Sequence, residues 1–313
     1  MTAKFAFVFP GQGSQAVGML DAWGEHPEVL RTLAEASEAL GEDIGALIKN
    51  GPKEQLDLTT NTQPVMLTAG IACYRAWIAE TGLQPAAAAG HSLGEYTALV
   101  AAGALSLAEA LPLVRLRAQA MQQAVPVGAG AMYAILGLDG EAVRAGCAQA
   151  AAESGEVIEA VNFNDPKQTV IAGSKAGAEK AAELLKAAGA KRALPLPVSA
   201  PFHSSLMKPA AEVLRARLAE VGFAAQAFPV VNNIDVAVTE SAEALRDALY
   251  RQAFGPVRWV EVVQALKARG LTHIIECGPG KVLAGMVKRI DAELQSCTVL
   301  DPASLAEAKN LLG

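Results

Sequence analysis

The sequence predicts an α/β protein: a mostly parallel sheet covered by helices, carrying a small inserted unit of βαββαβ order. Three observations support this. Short apolar runs such as Phe5-Ala6-Phe7-Val8-Phe9 and Ala86 to Ala89 alternate with longer stretches of helical period. Between residues 128 and 197 the pattern changes to strand, helix, two strands, helix, strand, with Pro/Gly-rich links on either side. Gly90-His91-Ser92-Leu93-Gly94 stands between a strand-like run and a helix-like one.

In chain order, Phe5–Phe9 reads as a buried strand that empties into the polar loop Pro10-Gly11-Gln12-Gly13-Ser14-Gln15. Segments near Glu28–Leu40, Pro64–Glu80 and Leu107–Gln123 have helical period, with Gly82 and Gly103 at plausible ends. After Val125-Pro126-Val127-Gly128-Ala129-Gly130 come a strand over Met132–Leu136, a helix over Gly140–Glu153 and a strand over Val157–Asn162. Thr169–Ala172, Ala176–Ala188 and Arg192–Leu196 complete the unit as strand, helix and strand, an order that is ferredoxin-like. The larger unit then resumes with helices over Leu206–Glu220, Ala242–Gln252, Trp259–Arg269 and Val282–Ile290 and strands over Pro229–Asn232 and His273–Cys277. The expected division is 1–127 with 198–313 as the larger domain and 128–197 as the insert.

Composition narrows the function. A chain of 313 residues, 52% hydrophobic and 19% charged, has material for a sizeable core. A net charge of -6 and the absence of a basic stripe argue against a nucleic-acid partner. The apolar run after Met1-Thr2-Ala3-Lys4 is too short for a signal peptide, and no apolar segment reaches membrane-spanning length. Cys73, Cys147, Cys277 and Cys297 form no C-x-x-C pair, so reduced thiols in a cytoplasmic protein without a bound metal are expected.

The Gly-x-Ser-x-Gly stretch matches a nucleophile elbow, in which a serine on a tight strand-to-helix turn is lifted clear of the sheet. Glycines at 90 and 94 remove Cβ atoms that would clash there, and the following helix aims its N-terminal amides at developing negative charge. Such a serine needs a base, and the chain has four histidines: His26, His91, His203 and His273. His91 adjoins Ser92, where neighbouring side chains diverge. His26 lies in a surface turn, and His273 opens a strand-like run. His203 follows Pro197-Val198-Ser199-Ala200-Pro201-Phe202, a stiff loop able to hold an imidazole in one orientation, although the same loop also reads as a helix-capping region.

An orienting carboxylate is expected between Ser and His in the hydrolase order, but Asp139 and Asp165 look like a helix cap and a turn residue. Either a carbonyl orients the imidazole or the protein is not an ordinary hydrolase. Arg115 and Arg117 cannot share one helix face. An inward arginine would need an anion, such as a substrate carboxylate, whereas two surface charges are the ordinary arrangement. Gly11-Gln12-Gly13 lacks the third glycine of a dinucleotide site, and Gly278-Pro279-Gly280-Lys281 continues into Val282, so it is no phosphate loop.

Taken together, the loop 10–15, Gly90-His91-Ser92-Leu93-Gly94-Glu95-Tyr96, Arg117, Asn162-Phe163-Asn164, Ser199-Ala200-Pro201-Phe202-His203-Ser204, Pro256-Val257-Arg258-Trp259 and Glu276-Cys277-Gly278-Pro279-Gly280 resemble the malonyl-CoA:acyl carrier protein transacylases of bacterial fatty-acid synthesis. The resemblance runs to about Arg289. It implies an α/β-hydrolase-like core with a ferredoxin-like insert, and a ping-pong transfer through a malonyl-serine. By position it makes Ser92 the nucleophile, His203 its base, and the amides of Gln12 and Leu93 the oxyanion hole. It makes Arg117 the ligand of the malonate carboxylate and a carbonyl near Gln252 the partner of the imidazole. Gln63, His91, Met121, Asn162 and Phe202 would line the pocket, and the Phe202 ring would disfavour an α-methyl group by about 1–3 kcal/mol at most. Malonyl-CoA would be a substrate with no bound cofactor, acyl carrier protein the partner, and the enzyme a monomer. An Asp in place of Gln252 would be expected to raise hydrolysis relative to transfer.

Lys191-Arg192 and Lys288-Arg289 are candidate docking cations for the acidic carrier, or simply solvated faces. The competing readings are a serine esterase or thioesterase, in which Arg117 has no carboxylate to bind, and a non-catalytic partner subunit, which would be marked by loss of Ser92 or His203.

Overall fold

The computed structural model describes residues 4–198 and 200–313. Met1, Thr2 and Ala3, in the predicted larger domain, and Ser199 of the proline-stiffened loop lie outside them.

The chain begins with β1 (Phe5–Phe9), α1 (Pro27–Leu40), α2 (Ile44–Asn50), α3 (Lys53–Leu56) and α4 (Thr59–Thr81). It continues through β2 (Ala87–Gly90), α5 (Leu93–Ala101) and α6 (Leu107–Gln123). The middle holds β3 (Gly130–Leu136), α7 (Gly140–Ser154), β4 (Ile158–Asp165), β5 (Gln168–Ser174), α8 (Lys175–Ala187) and β6 (Arg192–Pro195). The last third holds α9 (Lys208–Glu220), β7 (Val230–Val231), α10 (Ala242–Gln252), α11 (Trp259–Ala268), β8 (His273–Cys277), α12 (Val282–Ile290), β9 (Gln295–Val299) and α13 (Pro302–Leu312).

Two sheets result. The first is parallel, in the order β7-β2-β1-β8-β9. The second is antiparallel, in the order β4-β5-β3-β6. In β1 every side chain is buried, because the strand lies at the middle of a sheet covered on both faces. Strand alternation sends Phe5, Phe7 and Phe9 to one layer, where they pack edge-on against Tyr74 and Trp77 of α4. Ala6 and Val8 go to the other layer, with Trp259 and Val262 of α11.

Several boundaries differ from expectation. The helix expected from Pro64 begins at Thr59, leaving Pro64 inside it. Proline in a helix forfeits one hydrogen bond, here to the carbonyl of Thr60, but the side chains from Thr62 to Cys73 are all buried, and that burial outweighs the loss. The consequence is functional, because Gln63 is carried on a buried helix and not on a loop. β7 is only two residues long where four were expected. β9 and α13 were not expected, although Asp301-Pro302-Ala303-Ser304 is a helix start, and its capping box forms. Asp139 caps α7 and Asp165 accepts the Lys167 amide and pairs with Arg289, so both are structural as read. Among the described residues, no helix is long and apolar enough to cross a membrane.

Glu276, near the end of β8, is fully buried and accepts the amide of Ala284 in the first turn of α12 at 2.8 Å. Burial pushes its carboxyl up to about 7. A carboxyl raised on folding favours the native state at low pH, and that contribution fades as pH rises from the unfolded value near 4.5 through 7. Glu276→Gln removes this dependence. Its stability relative to the parent should therefore improve by about 2–3 kcal/mol between pH 4.5 and pH 8, read by denaturant melts at both pH values.

Candidate active site

The elbow forms where β2 meets α5. Ser92 adopts φ 52° and ψ −107°, a strained conformation for a residue with a side chain. A Cβ on Gly90 would lie 1.8 Å from the Gly94 carbonyl carbon, and one on Gly94 would lie 2.0 Å from the Phe9 oxygen. Both glycines are therefore required by contact: the turn is pressed onto its own helix and onto the end of β1.

His203 is also left-handed, at φ 66°. Its turn is closed by Phe202 N–H donating to the Ala200 oxygen at 3.0 Å and by the Ser204 hydroxyl donating to the Pro201 oxygen at 2.7 Å. Ser92 Oγ lies 2.7 Å from His203 Nε2, and His203 Nδ1 lies 2.9 Å from the main-chain oxygen of Gln252. A carbonyl can only accept, so Nδ1 carries the proton and Nε2 offers its lone pair to the serine. No acid is needed to set that tautomer.

Arg117 is 2% exposed. Its guanidinium donates to Gln63 Oε1 at 2.8 Å, to Gln252 Oε1 at 3.0 Å and to Ser92 Oγ at 3.1 Å, while Nε is buried without a partner. All three acceptors are neutral. Arg115, two residues earlier, faces outward and pairs with Glu42. Burial lowers the pKa of Arg117, and burial followed by the charge of Arg117 lowers that of His203 to about 3. The imidazole is thus neutral at any physiological pH.

Gln12, Gln63, His91, Ser92, Leu93, Arg117, Met121, Asn162, Phe202 and His203 all line one cavity of about 130 Å³. Gln252 lies outside that lining. Leu93 opens α5, so its amide is among those left without an acceptor inside the helix. His91 turns away from the serine chemistry: its Nε2 meets Asn164 Oδ1 at 2.8 Å and its ring lies 5.5 Å from that of Trp259. Met121, Met132, Leu196, Val198 and Phe202 form the apolar wall.

The imidazole is held by the main-chain oxygen of Gln252, while the Gln252 side chain donates to the main-chain oxygen of Ser92 and to Glu95 Oε2, both at 3.0 Å. An Asp at 252 would place a second carboxylate beside Glu95 and none on His203, so the expected rise in hydrolysis loses its physical basis. Two residues at the site went unassigned. Glu95 lies in the elbow segment itself. Asn233 follows a two-residue strand and carries no sequence signal.

Residues 6–303, which include every residue of this site, match the family model described as acyl transferase domain. The chain is 52% identical to the malonyl CoA-acyl carrier protein transacylase of Escherichia coli (strain K12), covering 98% of this chain and 99% of that one. A crystal structure of the acyl-carrier-protein S-malonyltransferase from Burkholderia pseudomallei 1710b superimposes with a TM-score of 0.96 at 66% identity, over 98% and 99% of the two chains. A malonyl-transacylase solved in complex with its type II PKS acyl-carrier protein gives a TM-score of 0.96 at 50% identity, over 98% and 100%. With an elbow serine, a carbonyl-held histidine and a buried arginine facing one cavity, and with matches spanning almost its whole length, the chain belongs to the acyl transferase domain family and within it to the malonyl-CoA:acyl carrier protein transacylases.

Proposed function

We propose that this protein moves a malonyl group from malonyl-CoA to the phosphopantetheine thiol of an acyl carrier protein through a malonyl ester on Ser92. The observation that carries this reading is Arg117. A buried guanidinium with only neutral acceptors, 3.1 Å from the serine oxygen, is a site for a carboxylate on the acyl group, and a monoacyl esterase has no use for it.

In this mechanism His203 Nε2 accepts the Ser92 proton as Oγ attacks the thioester carbon. The amides of Leu93 and Gln12 receive the oxyanion, and CoA thiol departs with the proton from His203. The carrier thiol then attacks the ester with His203 again as base, and Ser92 regains its proton. Neutrality of His203 in the free site keeps it ready to accept, and the malonate carboxylate on Arg117 offsets the positive charge that opposes imidazolium. Arg117 releases Ser92 Oγ as the carboxylate arrives. Gln63 holds the other end of the guanidinium, and Met121 and Phe202 shape the wall against larger acyl groups, with Phe202 disfavouring an α-methyl. Asn162, whose Oδ1 is buried and unpartnered, faces the same cavity.

An adjoining cavity of about 290 Å³ shares Gln12, His91, Asn162 and Leu196 and runs to Val282 and Met286 of α12, a path for the thioester arm. The exposed Lys191, Arg192, Lys288 and Arg289 are the carrier-docking cations in this reading, although Arg289 also pairs with Asp165. The parallel sheet with its helices is read as the hydrolase-like core, residues 1–127 and 198–313, and residues 128–197 as the ferredoxin-like insert. We read the enzyme as a cytoplasmic monomer without bound cofactor.

Intact mass after mixing with malonyl-CoA or acetyl-CoA, with and without holo carrier, tests the reading. A malonyl adduct discharged by the carrier is expected. Equal acylation by acetyl-CoA, or discharge to water at the same rate without carrier, would sink it.

A further inference from the structure

The mechanism makes no use of Glu95, a carboxylate 2% exposed in the first turn of α5. One oxygen, Oε2, accepts both the Asn233 amide at 2.9 Å and Gln252 Nε2 at 3.0 Å. Those two residues in turn hold the strained serine from either side. Asn233 Oδ1 accepts the Ser92 amide at 2.8 Å, and its Nδ2 donates to the Gly90 oxygen at 2.7 Å. Gln252 Nε2 donates to the main-chain oxygen of Ser92 at 3.0 Å, while the Gln252 main chain and Oε1 hold His203 and Arg117.

We propose that Glu95 is a positioning residue for this reaction: it locks Asn233 and Gln252 together, so that the backbone of Ser92, the imidazole of His203 and the guanidinium of Arg117 keep one register. The inference rests on the proposed nucleophile and base, and it concerns how they are held. A residue at positive φ persists only where its surroundings over-determine it, and both peptide groups flanking Ser92 are held by side chains that share this one carboxylate. Along the chain Asn233 and Gln252 lie 138 and 157 residues from Glu95. Burial raises the carboxyl, against the opposing bonds from Gln252 and Asn233, to about 7. Both of those bonds are accepted by Oε2, so an accepting oxygen is what the site needs, and the amide of Gln can supply one.

Labelling of Ser92 by a fluorophosphonate tests this, because the reagent needs the serine and its base but neither malonyl-CoA nor carrier. Glu95→Ala should slow labelling by about 10²-fold, as a displacement near 1 Å does at other active sites. Glu95→Gln should restore most of that rate. Asn233→Ala should also slow labelling, and the double variant Glu95→Ala/Asn233→Ala should be no slower than Glu95→Ala alone, since both act through one network. Wild-type labelling in Glu95→Ala overturns the proposal. So does a Glu95→Gln as slow as Glu95→Ala while melting at the parent temperature. If Glu95→Ala does not fold, Asn233→Ala decides: a normal labelling rate there overturns the proposal equally. Failure of malonyl transfer in a parent protein that labels normally would count against the proposed function and leave the positioning role standing.

Discussion

Ser92→Ala should gain no malonyl mass from malonyl-CoA, and its transfer rate should fall by roughly 10⁴-fold or more, the scale seen when a serine nucleophile is removed from a site whose parts act as a unit. The geometry gives the reason. Ser92 Oγ is the atom placed 2.7 Å from His203 Nε2, at the N-terminus of α5, and it takes a hydrogen bond from Arg117 as well. With Ala at 92 the cavity, the arginine and the imidazole remain, so the variant should still bind malonyl-CoA, measured by calorimetry. An adduct that survives the substitution would place the nucleophile elsewhere.

Arg117→Met should separate the two acyl donors. A methionine fills comparable space without charge, but it leaves the buried Gln63 Oε1 and Gln252 Oε1 without their donor, at about 1–3 kcal/mol each, so the melting temperature of the variant is measured beside its activity. Acylation by malonyl-CoA should fall by about 10²-fold or more, because the donor's carboxylate would enter a dry pocket with no cation. Acylation by acetyl-CoA should change far less, since that donor places no charge there. The ratio of the two kcat/KM values is the measurement. An unchanged ratio would remove Arg117 from donor selection.

These expectations differ in how visible their basis was in the sequence. The elbow was legible because its cause is local. Gly90 and Gly94 are demanded by contacts within one turn and with the adjacent strand, and a five-residue pattern records them. The two alternating layers of β1 were legible for a similar reason, since strand period 2 is written in Phe5, Phe7 and Phe9. Gln63 was assigned by resemblance alone, because Pro64 beside it reads as a helix start and the burial that overrides that signal is tertiary. The C-terminal strand and helix were missed although Asp301 and Ser304 spell a capping box.

Arg115 and Arg117 show where local reading stops. Both lie on one helix, and nothing near them in sequence says which is inside; Glu42 takes one, and the cavity between the two sheets takes the other. The absent acid is the same case: Gln252 serves His203 through its backbone, a group every residue has, so no residue type could announce it. The sequence determined the strand–turn–serine–helix unit and the chemistry available to it, because those depend on sterics within a few residues. Only the tertiary structure decided which imidazole and guanidinium reach that serine, which carbonyl meets the imidazole, and that Asn233 and Gln252 share the Glu95 carboxylate, because those contacts join segments up to 160 residues apart along the chain.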